Sequence, residues 1–253
     1  MNNIALITGA TSGIGLATAR KFAENDYSII ITGRRKDRLD SLEEKLKKEY
    51  NVKVLSLCFD VRSLSEVKHN LGNLDNDWKE IDVLVNNAGL AVGLSHIQSG
   101  VIDDWERMID TNIKGLLYVT RVISPGMAER GRGHIINIAS IAGKEAYENG
   151  NVYCATKHAV DALSRSMRID LVSKGVKVSN VAPGLVETEF SDVRFKGDRA
   201  KAEAPYKGMK PLTGEDIAGV VYYCASIPAH VNINDVTVMP ASQATATIVH
   251  REQ

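Results

Sequence analysis

Seven short apolar runs recur along the chain, at residues 4–8, 28–32, 52–57, 81–85, 134–139, 176–181 and 236–239. Most are nearly continuously apolar and rich in β-branched residues rather than alternating, the pattern of strands buried on both faces. Between them lie longer amphipathic stretches that predict helices. Residues 13–24 carry Ile14, Ala17, Ala19 and Phe22, and residues 36–50 carry Leu39, Leu42 and Leu46 with charges between. A helix after Ser63 opens on a capping-box pattern, Ser63-x-x-Glu66. The stretch 103–130 contains Pro125 and is predicted to bend or break there, because proline lacks an N–H and crowds the preceding turn. Further helices are predicted over 151–173 and from Thr213-x-x-Asp216 to a stop before Pro228. Strand–helix alternation along the whole chain predicts right-handed βαβ units, hence an α/β doubly wound parallel sheet in a single domain. One irregular stretch, about 187–211, follows a strand where such folds place ligand loops. It is expected to be a substrate lid rather than a domain boundary.

Composition narrows the function. Of 253 residues, 44% are hydrophobic and 25% charged, the profile of an ordinary soluble globular protein. Lys plus Arg and Asp plus Glu both number 31, so the net charge is zero. That balance argues against bulk polyanion partners such as nucleic acid or an anionic membrane surface. No apolar run approaches the ~20 residues that span a bilayer. The first strand is predicted from residue 4, so no signal or transit peptide is expected. Cys58, Cys154 and Cys224 are odd in number and widely separated, which favours a reducing compartment, and a cytoplasmic protein is expected. The histidines show no metal-ligand spacing, so no metal is expected.

The first strand runs into Thr8-Gly9-Ala10-Thr11-Ser12-Gly13-Ile14-Gly15, a G-x-x-x-G-x-G turn into a helix. Glycines there permit positive φ and close approach of the backbone to a ligand, and a helix N-terminus attracts an anion. A lone Gly-rich turn carries less weight than this one, which has the strand before it and the amphipathic helix after it. The second strand ends at Arg34 and Arg35 with no acid. An acid at that place would accept from a ribose 2′-hydroxyl, whereas arginine suits a 2′-phosphate, so NADP is expected over NAD. The alternative, a solvated start to the next helix, is disfavoured because cations oppose the positive dipole end.

Tyr153 and Lys157 stand at i and i+4 on one helical face. An unperturbed phenol titrates near ~10, and a nearby ammonium is expected to lower it into useful acid–base range. Tyr206 and Lys210 share that spacing, but Pro205, Gly208 and Pro211 make a helix there improbable, and the pair reads as a polar loop. Ser140 ends an apolar strand, where open α/β sheets bind ligands. A serine nucleophile would want a G-x-S-x-G elbow and a histidine partner, and neither stands out.

With these residues together, the chain resembles the short-chain dehydrogenase/reductase family over essentially its whole length. The resemblance rests on T-G-x-x-x-G-I-G at 8–15, Asn86-Asn87-Ala88-Gly89, Asn112, Ser140, Tyr153-x-x-x-Lys157 and Pro183-Gly184. It implies a Rossmann-like fold and a role for each matching residue. Asp60 would contact the adenine, and Asn86 would support the sheet. Asn112 would hold a water in a proton relay, and Ser140 would orient the substrate oxygen. Tyr153 would transfer the proton, and Lys157 would bind the nicotinamide ribose and lower the tyrosine pKa. Cofactor contacts are implied for Gly9, Thr11, Ser12, Gly13, Ile14 and Gly15, for Val61, Asn87, Ala88 and Gly89, and for Pro183, Gly184, Val186 and Thr188. A narrower resemblance, carried by residues 87–91, 150–153, 184–195 and 228–232, is to NADP-dependent 3-hydroxy acid (serine or allo-threonine) dehydrogenases. Such substrates carry a carboxylate. Residues 190–210 hold six Lys/Arg against three Asp/Glu, and Arg194 is the first choice to meet it. The family resemblance also implies a homotetramer built from the 103–130 and 151–173 helices. Rival readings are a carbonyl or 3-ketoacyl thioester reductase of the same fold, a non-catalytic dinucleotide sensor or scaffold, and, remotely, RNA binding.

Overall fold

The computed structural model describes residues 3–252. Seven strands alternate with helices: β1 Ile4–Ile7, α1 Gly13–Ala23, β2 Ser28–Gly33, α2 Lys36–Tyr50, β3 Val54–Cys58, α3 Leu64–Gly72 and β4 Ile81–Asn86. The second half comprises α4 Ile102–Ile109, α5 Leu116–Arg130, β5 Gly133–Ile138, α6 Asn151–Leu171, β6 Val176–Pro183, α7 Phe190–Arg194, α8 Arg199–Glu203, α9 Gly214–Ser226 and β7 Asp235–Val238. All strands pair in parallel in the order β3-β2-β1-β4-β5-β6-β7. This is the expected Rossmann-like sheet, and its strand order reverses between β1 and β4, the place where such sheets open a crevice.

The continuous apolar runs follow from burial on two sides. In β1, Ile4 and Leu6 join the core under α3, α5 and α6, with Val67, Val119, Ile123, Met127 and Val160. Ala5 and Ile7 point the other way, to Ala19 and Phe22 of α1, Leu39, Leu42 and Leu46 of α2, and Ile217 and Val221 of α9. Ile30 and its neighbours Ile29 and Ile31 divide in the same manner. A strand with a core on each face is apolar at nearly every position, and a polar residue there needs a buried partner, as Asn86 and Asn137 find in each other.

The expected break at Pro125 is a correction. Helix α5 runs through Pro125, and the interruption lies upstream, where a π-turn over Asp110–Gly115 separates α4 from α5. Pro125 and Arg121, whose carbonyl it leaves without a donor, are both exposed, so water can take that carbonyl. The Ser63 cap is half of what its pattern predicts. Ser63 Oγ accepts from Glu66 N at 3.3 Å, but the Glu66 carboxylate turns to Asp60 N at 3.0 Å. The reciprocal box forms at Thr213 and Asp216 instead. The segment 187–211 is also less irregular than expected, since it contains α7 and α8. No helix among the described residues is long and apolar enough to cross a membrane.

One buried titratable group lies in the sheet away from the crevice. His134 of β5 is bonded through Nε2 to Ser179 Oγ at 2.8 Å. Burial, aided by the Lys177 charge, pushes its pKa down to about 3. The unfolded chain therefore binds a proton from about pH 6.5 downward that the folded chain refuses, so stability is full above that pH and falls as pH falls. Between pH 7 and pH 5 the loss from this group is about 2 kcal/mol. Urea unfolding at the two pH values should show that loss in the wild type and a clearly smaller one in His134→Gln.

Candidate active site

The crevice begins with how β1 and β4 end. Thr8 Oγ1 accepts from the backbone N–H groups of Asn87 and Ala88, both at 3.0 Å. Asn87 Nδ2 donates back to the Thr8 and Gly9 carbonyls at 2.9 and 3.1 Å. The strands are thereby clamped so closely that side chains are excluded. A Cβ on Gly9, whose φ is +68°, would sit 2.9 Å from Ala88 Cα, and one on Gly15 would lie 2.4 Å from both Asn87 Nδ2 and the Gly9 carbonyl oxygen. Helix α1 starts at Gly13 with no side-chain cap from Ser12 and no acid in its first turn. Its N-terminal N–H groups thus have no side-chain acceptor, and Ser12, Gly13 and Ile14 form the wall of one cavity of about 580 Å³.

The same cavity is walled at that end by Gly9, Thr11, Arg34, Arg35, Asp60 and Val61. Arg35 donates to Thr11 Oγ1 from Nε at 3.1 Å and Nη2 at 2.7 Å, and to Ser12 Oγ at 2.9 Å. Arg34 lies 3.6 Å from Asp60, which Arg62 grips at 2.7 and 2.9 Å. Burial acts to raise the Asp60 carboxyl, but Arg62, with help from Arg34, outweighs it and holds it below the usual carboxylate range. Further along, Asn87, Ala88, Gly89, Pro183, Gly184, Val186 and Thr188 line the wall up to the chemical end.

There β5 delivers Ser140, whose Oγ accepts from Ala142 N at 3.1 Å and lies 3.5 Å from the Pro183 carbonyl. Lys144, four residues on, pins this turn by donating to Asp161 of α6 at 2.5 Å and Asp235 of β7 at 2.6 Å. Helix α6 supplies Tyr153 and Lys157, both buried and both on the cavity wall. Asn86 braces the floor by donating to Thr120 Oγ1 at 3.0 Å and Asn137 Oδ1 at 2.9 Å.

The electrostatics here differ from the simple expectation that Lys157 lowers the Tyr153 pKa. Lys157 Nζ donates to the Ile138 carbonyl at 2.9 Å and lies 6.0 Å from the centre of the Tyr153 ring. Burial alone brings the Lys157 pKa down to about 8. Burial also raises the Tyr153 phenol, reinforced by Tyr147, while the Ser140 hydroxyl and the Arg194 guanidinium pull against it. Desolvation wins, and the phenol keeps its proton at neutral pH.

Arg194 stands in this site rather than in solvent. Its guanidinium carbon is 5.4 Å from the Tyr153 ring centre and 5.5 Å from that of Tyr147, and Nη2 donates to the Tyr147 hydroxyl at 2.7 Å. Its Nε is buried with no hydrogen-bond partner among the described residues. Phe190, on the same helix, packs against Tyr153 with ring centres 5.9 Å apart.

Two expected site residues stand off the cavity. Gly15 lies behind the wall, where its role is steric. Asn112, in the π-turn, accepts from Leu90 N at 2.8 Å and donates to the Leu90 carbonyl at 2.8 Å and Thr156 Oγ1 at 3.0 Å. Both of its amide hydrogens are spent on this strap. Two tyrosines of the site were not anticipated from sequence. Tyr147 sits in an irregular turn with no periodic signal. Tyr206 binds the Val186 carbonyl at 2.9 Å and Ser191 Oγ at 2.6 Å, so the supposed polar-loop tyrosine ties α7 to the chain after β6.

A glycine-rich turn at the switch point of a parallel sheet, joined by one cavity to a buried serine, tyrosine and lysine, defines a nucleotide-dependent oxidoreductase. The chain belongs to the short chain dehydrogenase family, whose pattern matches residues 3–198. It is 50% identical over 250 residues to the NADP-dependent 3-hydroxy acid dehydrogenase YdfG of Salmonella typhi, covering 98% of this chain and 99% of that one. It is 45% identical to sulfoacetaldehyde reductase 2 of Chromohalobacter salexigens, covering 96% of each. The structure superposes on the closed form of a serine dehydrogenase complexed with NADP+ with a TM-score of 0.91 at 47% identity, covering 98% of this chain and 100% of that one.

The clamp makes a sharp expectation for Gly15→Ala. A methyl group 2.4 Å from two atoms of that clamp must push the turn away from β4. Dinucleotide affinity should fall by about fivefold to a hundredfold by fluorescence titration, with a lowered melting temperature, since overpacking costs about 1–3 kcal/mol.

Proposed function

We propose that the protein interconverts a small 3-hydroxy acid and the corresponding 3-oxo acid or semialdehyde, with serine, allo-threonine and 3-hydroxypropionate-like compounds as its substrates. The observation that carries this reading is Arg194, a cation with an unpartnered buried N–H poised 5.4 Å from the Tyr153 ring centre. A carboxylate held there places the carbon two bonds away near the phenol.

The cofactor is NADP. The residues fit it: the side-chain-free turn at Gly9 and Gly15 admits a backbone-hugging pyrophosphate, α1 offers N–H groups, and Arg34 and Arg35 offer forks for a 2′-phosphate. When bound, it accepts or supplies the hydride at the substrate carbon. Asp60 would border the adenine end, Lys157 would hold the nicotinamide ribose, and Asn87 would line the wall between them. Tyr153 Oη carries the proton that moves to the carbonyl oxygen in reduction, and Ser140 Oγ orients that oxygen. Burial keeps the phenol protonated at neutral pH, so the proton is present for reduction, and Ser140 and Arg194 oppose burial by favouring the phenolate that accepts the proton in oxidation. Asn112 positions Leu90 and Thr156, and any water it holds in a relay is held through its oxygens. The segment 187–211 serves as a lid, because α7 brings Phe190 and Arg194 over Tyr153.

Two wider features belong to this reading. Leu117 of α5, Ile169 of α6 and Val172 just beyond it are exposed, the last two by 75% and 70%, which supports a homotetramer assembled through these helices. The cysteines are all unbridged, which supports a cytoplasmic setting.

Tyr153→Phe should lower turnover by about 10²–10⁴-fold while NADPH titrates normally. Retained turnover would overturn the proton assignment. Arg194→Met should raise KM for a 3-hydroxy acid about tenfold or more, the worth of a charge-assisted hydrogen bond, and leave KM for an uncharged aldehyde unchanged. A panel of L-serine, 3-hydroxypropionate, sulfoacetaldehyde and a ketoacyl thioester, followed at the NADPH absorbance band, decides the substrate. Preference for the thioester would displace the acid reading.

A further inference from the structure

The carboxylate of Glu189, the residue just before α7, reaches across to the arginines that follow β2. It accepts from Arg35 Nη1 at 3.0 Å and from Arg38 Nη1 at 2.7 and 2.8 Å. The Arg35 fork is otherwise committed to the glycine turn, with Nε and Nη2 on Thr11 and Nη2 on Ser12. Nη1 is therefore the part of Arg35 that can turn to a new anion, and Glu189 already holds it.

We propose that Glu189 is a cofactor-specificity residue, which competes with the 2′-phosphate for Arg35 Nη1. This rests on the reading that Arg35 takes that phosphate. A phosphate near −2 and a carboxylate on one guanidinium repel each other. The phosphate displaces Glu189, and Arg38, which already bonds both carboxylate oxygens, keeps the displaced carboxylate paired. A nucleotide with a 2′-hydroxyl brings no charge to this place and leaves the Glu189–Arg35 bond intact. Burial works to raise the Glu189 carboxyl, but Arg38 and Arg35 hold it below its ordinary range, so it is an anion wherever the enzyme works. The contact also spans the two halves of the site. Glu189 directly precedes Phe190 and stands five residues before Arg194, so whatever loosens it loosens the helix over Tyr153.

Fluorescence titration of NADPH and NADH into the full-length enzyme tests this without turnover. Glu189→Gln should tighten NADPH by about three- to fivefold, the scale of an exposed ion pair, and move NADH less than about twofold. The gain should shrink as salt is raised from 50 to 500 mM, because the competing charges are solvent-accessible. It should vanish in the Arg35→Ala background, where nothing remains to compete for. Unchanged or weakened NADPH binding in Glu189→Gln, or an equal shift for both nucleotides, would overturn the proposal, and melting curves exclude a folding defect as the cause. Arg35→Ala separates the two claims. If it weakens NADPH and NADH equally, the phosphate reading of Arg35 fails. If it weakens NADPH selectively while Glu189→Gln does not tighten it selectively, only the competition fails.

Discussion

The close approach of β1 to β4 governs the molecule. Asn87 holds the Thr8 and Gly9 carbonyls, and Thr8 holds the N–H groups of Asn87 and Ala88. This clamp sits where the strand order reverses, so it decides where the crevice opens. It also forbids side chains at Gly9 and Gly15, which is why the turn into α1 exposes backbone to a ligand. The apolar strands supply the stability that tolerates such a tight, polar junction. Both faces of β1 are buried in separate cores, so its carboxyl end is held against movement toward either helical layer.

The chemical end applies the same rigidity to charge. Tyr153 and Lys157 are both taken out of water, and desolvation moves their pKa values toward the neutral forms of each. Lys157 finds compensation in the Ile138 carbonyl at the end of β5, the strand that also delivers Ser140. The turn carrying Ser140 is held in turn by Lys144 on Asp161 and Asp235, a pairing of α6 with β7. Serine, tyrosine and lysine thus share supports.

What could be read from sequence follows from how local each signal is. The strands and the glycine turn were legible because burial on two faces and positive φ each leave a mark at the residue itself. Lys157 was legible as a neighbour of Tyr153, yet its actual partner, a backbone carbonyl 19 residues upstream, was not. Pro125 misled because proline announces a missing donor but not whether the orphaned carbonyl is wet. The true interruption, the π-turn around Asn112, is set by Leu90 and Thr156, both distant in sequence. Tyr147, Tyr206 and Glu189 stayed invisible for the same reason: each acts through a partner on another element. A balanced net charge hid them further, since Arg35 and Arg38 are matched by an acid 151 or more positions away.

Arg194 shows how such distant contacts join binding to chemistry. The guanidinium lies between two phenols and bonds only one of them, at Tyr147. Its positive charge is one of two influences that oppose burial at Tyr153. In the proposed reading a substrate carboxylate meets this same charge. The anion then cancels part of the pull on the phenol, and the proton affinity of Tyr153 changes as the substrate seats. Substrates without an acidic group leave the pull in place and present a different acid to the carbonyl. A single side chain on a short helix can therefore set both which molecule is held and how readily the proton moves. This coupling needs no conformational change, only a charge shared beside the buried Tyr153 phenol.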